Sequence, residues 1–160
     1  MKDLIKKILK EYKEEEKILV VPSLKYFGND WNALQLFLKS KGNPKWKLLD
    51  DLYLYGKPIE SLENLQSVGG YLNLDETPIE SLGNLQSVGG NLYLNGTSIK
   101  SLGNLQSVGG DLDLYKTPIK SLGNLQSVGG YLNLRNSPIS KKYTEEEIRQ
   151  MVDVKGKIFM

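Results

Sequence analysis

The chain contains neither cysteine nor histidine. Disulfide stapling, thiol catalysis, histidine base chemistry and the common zinc sites are therefore excluded together. It also lacks any uninterrupted apolar run of the kind a signal peptide or a membrane-spanning helix needs. A reducing cytoplasm is compatible with these absences, and a cytoplasmic location is expected. No sign of charge is in large excess: 21 lysines and arginines against 19 aspartates and glutamates leave +2. The imbalance is local. Residues 1–50 carry 11 basic and 7 acidic groups, residues 51–140 carry 5 and 8, and residues 141–160 carry 5 and 4. With 160 residues and 39% hydrophobic composition, one domain with a buried core is the expectation.

What the chain has in abundance is repetition. The unit from Tyr71 to Gly90 is restated from Asn91 and again from Asp111, at a spacing of 20 residues. A copy from Asp51 to Gly70 differs in its second half only at Glu63, where the others have Gly83, Gly103 and Gly123, and a last copy starts at Tyr131 and stops after Ser140. Such a period marks stacked repeats, in which no unit can bury its apolar face alone. Within a unit, Leu72-Asn73-Leu74 alternates like a short strand with its leucines inward. Thr77-Pro78 turns the chain, because proline fixes φ and has no amide hydrogen. Ile79, Leu82 and Leu85 have the spacing of a tight helical or 3₁₀ return segment. Val88 anchors the last bend, and Gly89-Gly90 are expected to give the backbone freedom to enter the next strand. Ser61, Ser81, Ser101 and Ser121, with Asn64, Asn84, Asn104 and Asn124, read as turn residues that satisfy backbone groups.

The run formed by Leu72, Leu74, Thr77 and Ile79 resembles the strand signature of leucine-rich-repeat proteins, with Thr77, Thr97, Thr117 and Ser137 where that family usually carries an asparagine or cysteine ladder. The units are also similar to the coil repeats of receptor L-type domains and to very regular repeats in phage and bacterial open reading frames. This resemblance spans residues 51–140. It implies a parallel-stranded solenoid. For a phage protein it further implies a blocker or sequestrant of a host protein, a defence component included, in the host cytoplasm. Two departures, Val88 with Gly89-Gly90 in place of a leucine lead-in and a unit at the short end of the family's range, point to a flatter coil. The expected fold is an α+β repeat solenoid: a short-period leucine-rich-repeat-like or β-helix-like coil, with a parallel sheet on one face and helical caps at both ends.

The flanks read as those caps. Residues 1–50 form the N-terminal helical cap, residues 51–140 the solenoid and residues 141–160 a C-terminal cap helix and last strand, all in a single domain. A first helix over Lys2 to Lys17 aligns Leu4, Ile5, Ile8, Leu9 and Tyr12 for docking on the first repeat, while Glu11 and Glu14 to Glu16 argue against a membrane surface. Ile18 to Val21 is a β-branched run ended by Pro22. Asp30 caps a second helix whose apolar face is Trp31, Leu34, Phe37 and Leu38, with Gly42 as the stop; Pro44 and Trp46 lead into Leu48 and Leu49. Thr144 and Glu147 make a capping box for a helix turning Ile148, Met151 and Val152 inward. Residues 154–160 overlay residues 128–134 as one more strand with Ile158 and Met160 inward, and Lys155 and Lys157 discourage edge pairing.

Function is sought where the copies differ. Differences fall at outward strand positions: Asp51, Tyr53 and Tyr55; Tyr71, Asn73 and Asp75; Asn91, Tyr93 and Asn95; Asp111, Asp113 and Tyr115; Tyr131, Asn133 and Arg135. A further variable position, Glu60, Glu80, Lys100 and Lys120, reads as an exposed edge with ordinary drift. Tyrosine and asparagine suit adaptable binding surfaces, because tyrosine offers large contact area at low entropic cost. They also ladder along stacked strands for structural reasons alone, and both readings stand at this level. Asp111, Asp113 and Asp75 are the only carboxylate grouping that suggests a cation or acid–base chemistry, and no histidine or phosphate-gripping glycine loop accompanies them. Phosphate neutralisation would need a basic face, whereas the repeats lean acidic. The expectation is a non-enzymatic module, without cofactor, metal, nucleic acid or membrane, that binds a protein partner through this face. The alternative is a structural or self-assembling repeat module.

Overall fold

The computed structural model describes residues 1–10 and 18–160. The expectations for Glu11, Tyr12, Glu14 to Glu16 and the far end of the first helix fall outside these residues, as does the side chain of Leu9.

Two parallel sheets run the length of a repeat coil with a 20-residue period. After α1 (Lys2–Lys10), the first sheet collects β1 (Ile18–Val21), β2 (Lys45–Leu48), β4 (Leu65–Val68), β6 (Ser87–Val88), β8 (Ser107–Val108), β10 (Ser127–Val128) and β12 (Asp153–Val154) in that order. The second collects β3 (Leu52–Tyr53), β5 (Leu72–Asn73), β7 (Leu92–Tyr93), β9 (Leu112–Asp113), β11 (Leu132–Asn133) and β13 (Ile158–Phe159). Each rung thus contributes one short strand to each sheet. The leucine strands are those expected from the alternating pattern, and they stack in register: Leu52, Leu72, Leu92, Leu112, Leu132 and Ile158 form one buried column.

The first sheet departs from expectation. Ile79, Leu82 and Leu85 are buried as the spacing requires, yet no helix forms there. Gly83 adopts φ 57° between Leu82 and Leu85, and its N–H is held by the Ser81 hydroxyl at 3.0 Å, so the segment turns in mid-course. Amides beyond it bond to the previous rung: Gln86 N–H donates to Gln66 O and Gly89 N–H to Val68 O, both at 2.8 Å. Bonding across rungs replaces bonding along a helix, and Val88 lies in a strand rather than a bend. Ser61, Ser101 and Ser121 repeat the serine turn, accepting from Glu63, Gly103 and Gly123 at 2.9 to 3.1 Å. Asn84 Nδ2 donates to Asn64 Oδ1 at 3.2 Å, so the asparagines link neighbouring rungs as well.

The glycine pairs do something other than supply freedom. None of Gly69, Gly89, Gly109 and Gly129 has a positive φ; a Cβ on Gly89, Gly109 or Gly129 would overlap the carbonyl oxygen of the glycine one rung before. Close approach of backbones is the requirement. Thr77, Thr97 and Thr117 are buried, each hydroxyl donating to the leucine carbonyl three residues back at 2.7 to 2.8 Å, and Ser137 does the same to Leu134.

At the N-terminal end β1 adds one rung to the first sheet. Beside it a 3₁₀ helix (Leu24–Phe27) precedes α2 (Trp31–Ser40), which Asp30 caps through Asn32 N–H at 2.8 Å. Trp31, Leu34 and Leu38 are buried with Trp46, and Phe37 packs at their edge. Ile8 is fully buried, while Leu4 packs part-buried against the core. Leu49 is exposed, because it stands one rung before Gly69 on the outside of the bend. At the C-terminal end α3 (Pro138–Lys142) was not anticipated. Then α4 (Glu145–Met151) starts with the anticipated capping box, Glu147 N–H to Thr144 Oγ1 at 3.2 Å and Thr144 N–H to Glu147 Oε2 at 2.8 Å. Ile148 and Val152 are buried, but Met151 is exposed on the side of α4 away from the core, and Met160, past the end of β13, is exposed as well. Pairing of Val128 with Val154 and of Leu132 with Ile158 is the register the overlay of 154–160 on 128–134 requires. Arg149 closes the first sheet: its guanidinium donates to Val154 O at 2.8 Å and Gly156 O at 3.0 Å, and Glu145 holds it at 2.9 Å. Among the described residues no helix is long and apolar enough to cross a membrane.

Candidate functional site

The fifteen residues named from sequence variation all belong to the outer side of the second sheet, alternating with its buried leucines. Three columns run across the rungs. The first is Asp51, Tyr71, Asn91, Asp111 and Tyr131; the second is Tyr53, Asn73, Tyr93, Asp113 and Asn133; the third is Tyr55, Asp75, Asn95, Tyr115 and Arg135. The second column continues to Phe159, which pairs with Asn133. Phe159 was missing from the sequence list, although the overlay of 154–160 on 128–134 already places it above Asn133.

Asparagine and aspartate on this face are engaged with the backbone. In the first column Asp51 Oδ1 accepts from Tyr71 N–H at 2.8 Å, Asn91 Oδ1 from Asp111 N–H at 2.8 Å and Asp111 Oδ1 from Tyr131 N–H at 2.9 Å. Each reaches over a glycine, Gly70, Gly110 or Gly130, and a Cβ there would overlap the reaching oxygen. Where the column holds Tyr71 instead, its ring lies over Gly90. In the second column Asn73, Asp113 and Asn133 accept from the amide two residues on, at 2.9, 3.0 and 3.2 Å. These are Asx turns that end the strand. In the third, Asp75 Oδ1 accepts from Asn95 N–H at 2.7 Å and Asp75 Oδ2 from Asn95 Nδ2 at 3.3 Å, while Asn95 Oδ1 is buried without a partner.

The tyrosines divide into two groups. Toward the C-terminal end they are half-buried and occupied: Tyr93 OH accepts from Asn91 Nδ2 at 2.6 Å, Lys116 Nζ stands 5.1 Å from the Tyr115 ring centre, and Tyr131 meets Phe159 edge-on at 5.6 Å. Arg135 is stacked 4.6 Å from the Phe159 ring centre. Toward the N-terminal end Tyr53, Tyr55 and Tyr71 are 57, 65 and 44% exposed, with only a long contact of 3.4 Å from Tyr53 OH to Asp51 Oδ2. Beside them lies a recess of about 280 Å³ between the 3₁₀ helix and β3, lined by Ser23, Lys25, Asp50, Asp51 and Tyr53 among others. Ser23 Oγ donates to Asp50 Oδ2 at 2.7 Å, and this bond chiefly holds the Asp50 carboxyl below its ordinary range.

The field across the face is negative. Burial raises the Asp75 pKa, and the charges of Asp113 and Glu76 add to it; burial also raises the Tyr131 phenol, assisted by Asp113 and Asp111. Among the described residues no carboxylate of this face takes part in a salt bridge, and no group of three or more acidic residues is arranged to hold a metal ion. The carboxylates lie apart along the sheet, tied to backbone amides, without a paired acid and base.

Comparison with known proteins finds no matching family model, no significantly similar curated protein and no significantly similar solved structure.

Proposed function

We propose that the chain is a leucine-rich-repeat-like, β-helix-like solenoid that works as a non-enzymatic protein-binding module through the outer face of its second sheet. The observation that carries this reading is the adjacency of Tyr53, Tyr55 and Tyr71, exposed at 57, 65 and 44% on a sheet whose other outward residues are mostly tied into the coil. Aromatic rings held on strands lose little side-chain entropy on contact, and they are enriched at the centres of interfaces. The asparagines, by contrast, support the backbone, which favours the ladder reading for them, while the aspartates do the same and add charge. Recognition then centres on the N-terminal rungs rather than on all columns equally.

Affinity capture from cell lysate tests this, with the natural chain set against a Tyr53→Ala, Tyr55→Ala, Tyr71→Ala variant whose fold is checked by circular dichroism. A protein retained by the first and lost by the second is the expected result. Identical retention by both contradicts it. The competing self-assembly reading predicts a mass that rises with concentration in light scattering.

A further inference from the structure

The two signs of charge are unevenly spread over the outer face of the second sheet. Its cations stand toward the C-terminal end: Arg135 lies on Phe159, Lys116 on Tyr115, and Lys157 stands exposed one rung beyond Tyr131 in the first column. Its carboxylates reach the N-terminal rungs and, among the described residues, form no ion pair. Asp51, Asp75, Asp111 and Asp113 each accept a backbone amide at one oxygen, Asp51 and Asp75 also accept at the other from Tyr53 OH and Asn95 Nδ2 at 3.4 and 3.3 Å, and among the described residues none is paired with a lysine or arginine. The chain as a whole is +2, so this acidity is local rather than a property of the net charge. The face also carries exposed rings, of the sort on which Arg135 and Lys116 show cations resting.

Resting on the reading of this face as a recognition surface, we propose that its partner is a basic protein segment, whose lysine or arginine side chains pair with Asp51, Asp75, Asp111 and Asp113 and stack on Tyr53 and Tyr71. Complementary charge speeds encounter and fixes register, and a desolvated cation over a tyrosine ring adds attraction. Nucleic acid is the opposite chemistry, since its phosphates would meet carboxylates.

The chain itself provides the control. Asn91 stands at the position of Asp51 and Asp111, Asn73 and Asn133 at that of Asp113, and Asn95 at that of Asp75. The Asp51→Asn, Asp75→Asn, Asp111→Asn, Asp113→Asn variant therefore keeps every backbone-accepting oxygen and removes four charges. Labelled Arg-Ser repeat peptide is the probe, with a Glu-Ser peptide and a labelled oligothymidine as comparisons, all read by fluorescence anisotropy on the full chain. The natural chain is expected to prefer the Arg-Ser peptide, the variant to bind it at least about tenfold more weakly, and added salt to erase the difference. Equal binding by both chains, no preference for the Arg-Ser peptide, or stronger binding of oligothymidine overturns the proposal. A protein captured through Tyr53, Tyr55 and Tyr71 yet retained by the four-asparagine variant leaves the recognition face standing and removes the basic partner. Capture that is the same with and without Tyr53, Tyr55 and Tyr71 removes the face itself.

Discussion

The two sheets of this coil are built from the same rungs, yet their outer sides obey different rules. On the first, Ser67, Ser87, Ser107 and Ser127 stack in register beside Gly69, Gly89, Gly109 and Gly129, and the four rungs are identical. On the second, every rung differs. The cause is space. A side chain at Gly109 would run into the Gly89 carbonyl, so the first side admits one residue, whereas the notch over Gly70, Gly90, Gly110 and Gly130 accepts either an Asx oxygen or a tyrosine ring. In this column, variation follows the two chemistries that fill the same site. A surface that varies under such a constraint is free to be selected for what it touches.

Breaking the first side should therefore cost most. Gly109→Ala is expected to lose about 3 kcal/mol or more in urea denaturation, because a backbone carbonyl cannot step aside, while Tyr93→Ala on the second side costs about 1 kcal/mol. Equal losses would erase the distinction between the sides. Arg149 supplies the next rung's missing donors at the end of the first sheet, and nothing equivalent covers β13 among the described residues. Arg149→Ala should cost about 1 to 2 kcal/mol by the same measurement, with Arg149→Lys recovering only part of it. Glu63 occupies, at φ 51°, the left-handed position that Gly83, Gly103 and Gly123 fill elsewhere. Glu63→Gly should stabilise by about 0.5 to 1 kcal/mol, visible as a higher urea midpoint at unchanged slope.

The smallest effect concerns Asp75. Its pKa is raised in the fold, so its contribution is fully present below the unfolded value of about 3.9 and is lost as pH rises through the folded one. At neutral pH the ionised group is a net cost. Asp75→Asn removes that charge, and the introduced amide can donate to the unpartnered Asn95 Oδ1 after Asn95 flips. The variant should melt higher than the natural chain at pH 7 by less than about 1 kcal/mol equivalent, with the gap closing toward pH 3.

Much of this architecture could be read from residues alone, for reasons that show where reading stops. Leu72 and Leu74 alternate within one strand, so their inward direction is a local property. Thr144 and Glu147 cap α4 within a single turn. The first sheet was hidden because Ile79, Leu82 and Leu85 carry helical spacing, and only the left-handed Gly83 between them says otherwise. The glycine pairs misled for a related reason: their role depends on a carbonyl one rung away, 20 residues distant in sequence. At the candidate face the columns were legible from the repeat, but the division of labour was not. That Asp51 reaches over Gly70 to Tyr71 N–H, and that Tyr93 is occupied while Tyr53 is not, are facts of stacking.

The central claim is that recognition belongs to the second side and to its N-terminal tyrosines. The most direct measurement compares two folded variants in capture of the same partner, Ser87→Lys with Ser107→Lys on the first side against Tyr53→Ala, Tyr55→Ala and Tyr71→Ala on the second. Retention by the lysine variant and loss by the alanine variant is the predicted result. Loss by the lysine variant with retention by the alanine variant would place the binding surface on the wrong sheet and contradict the account.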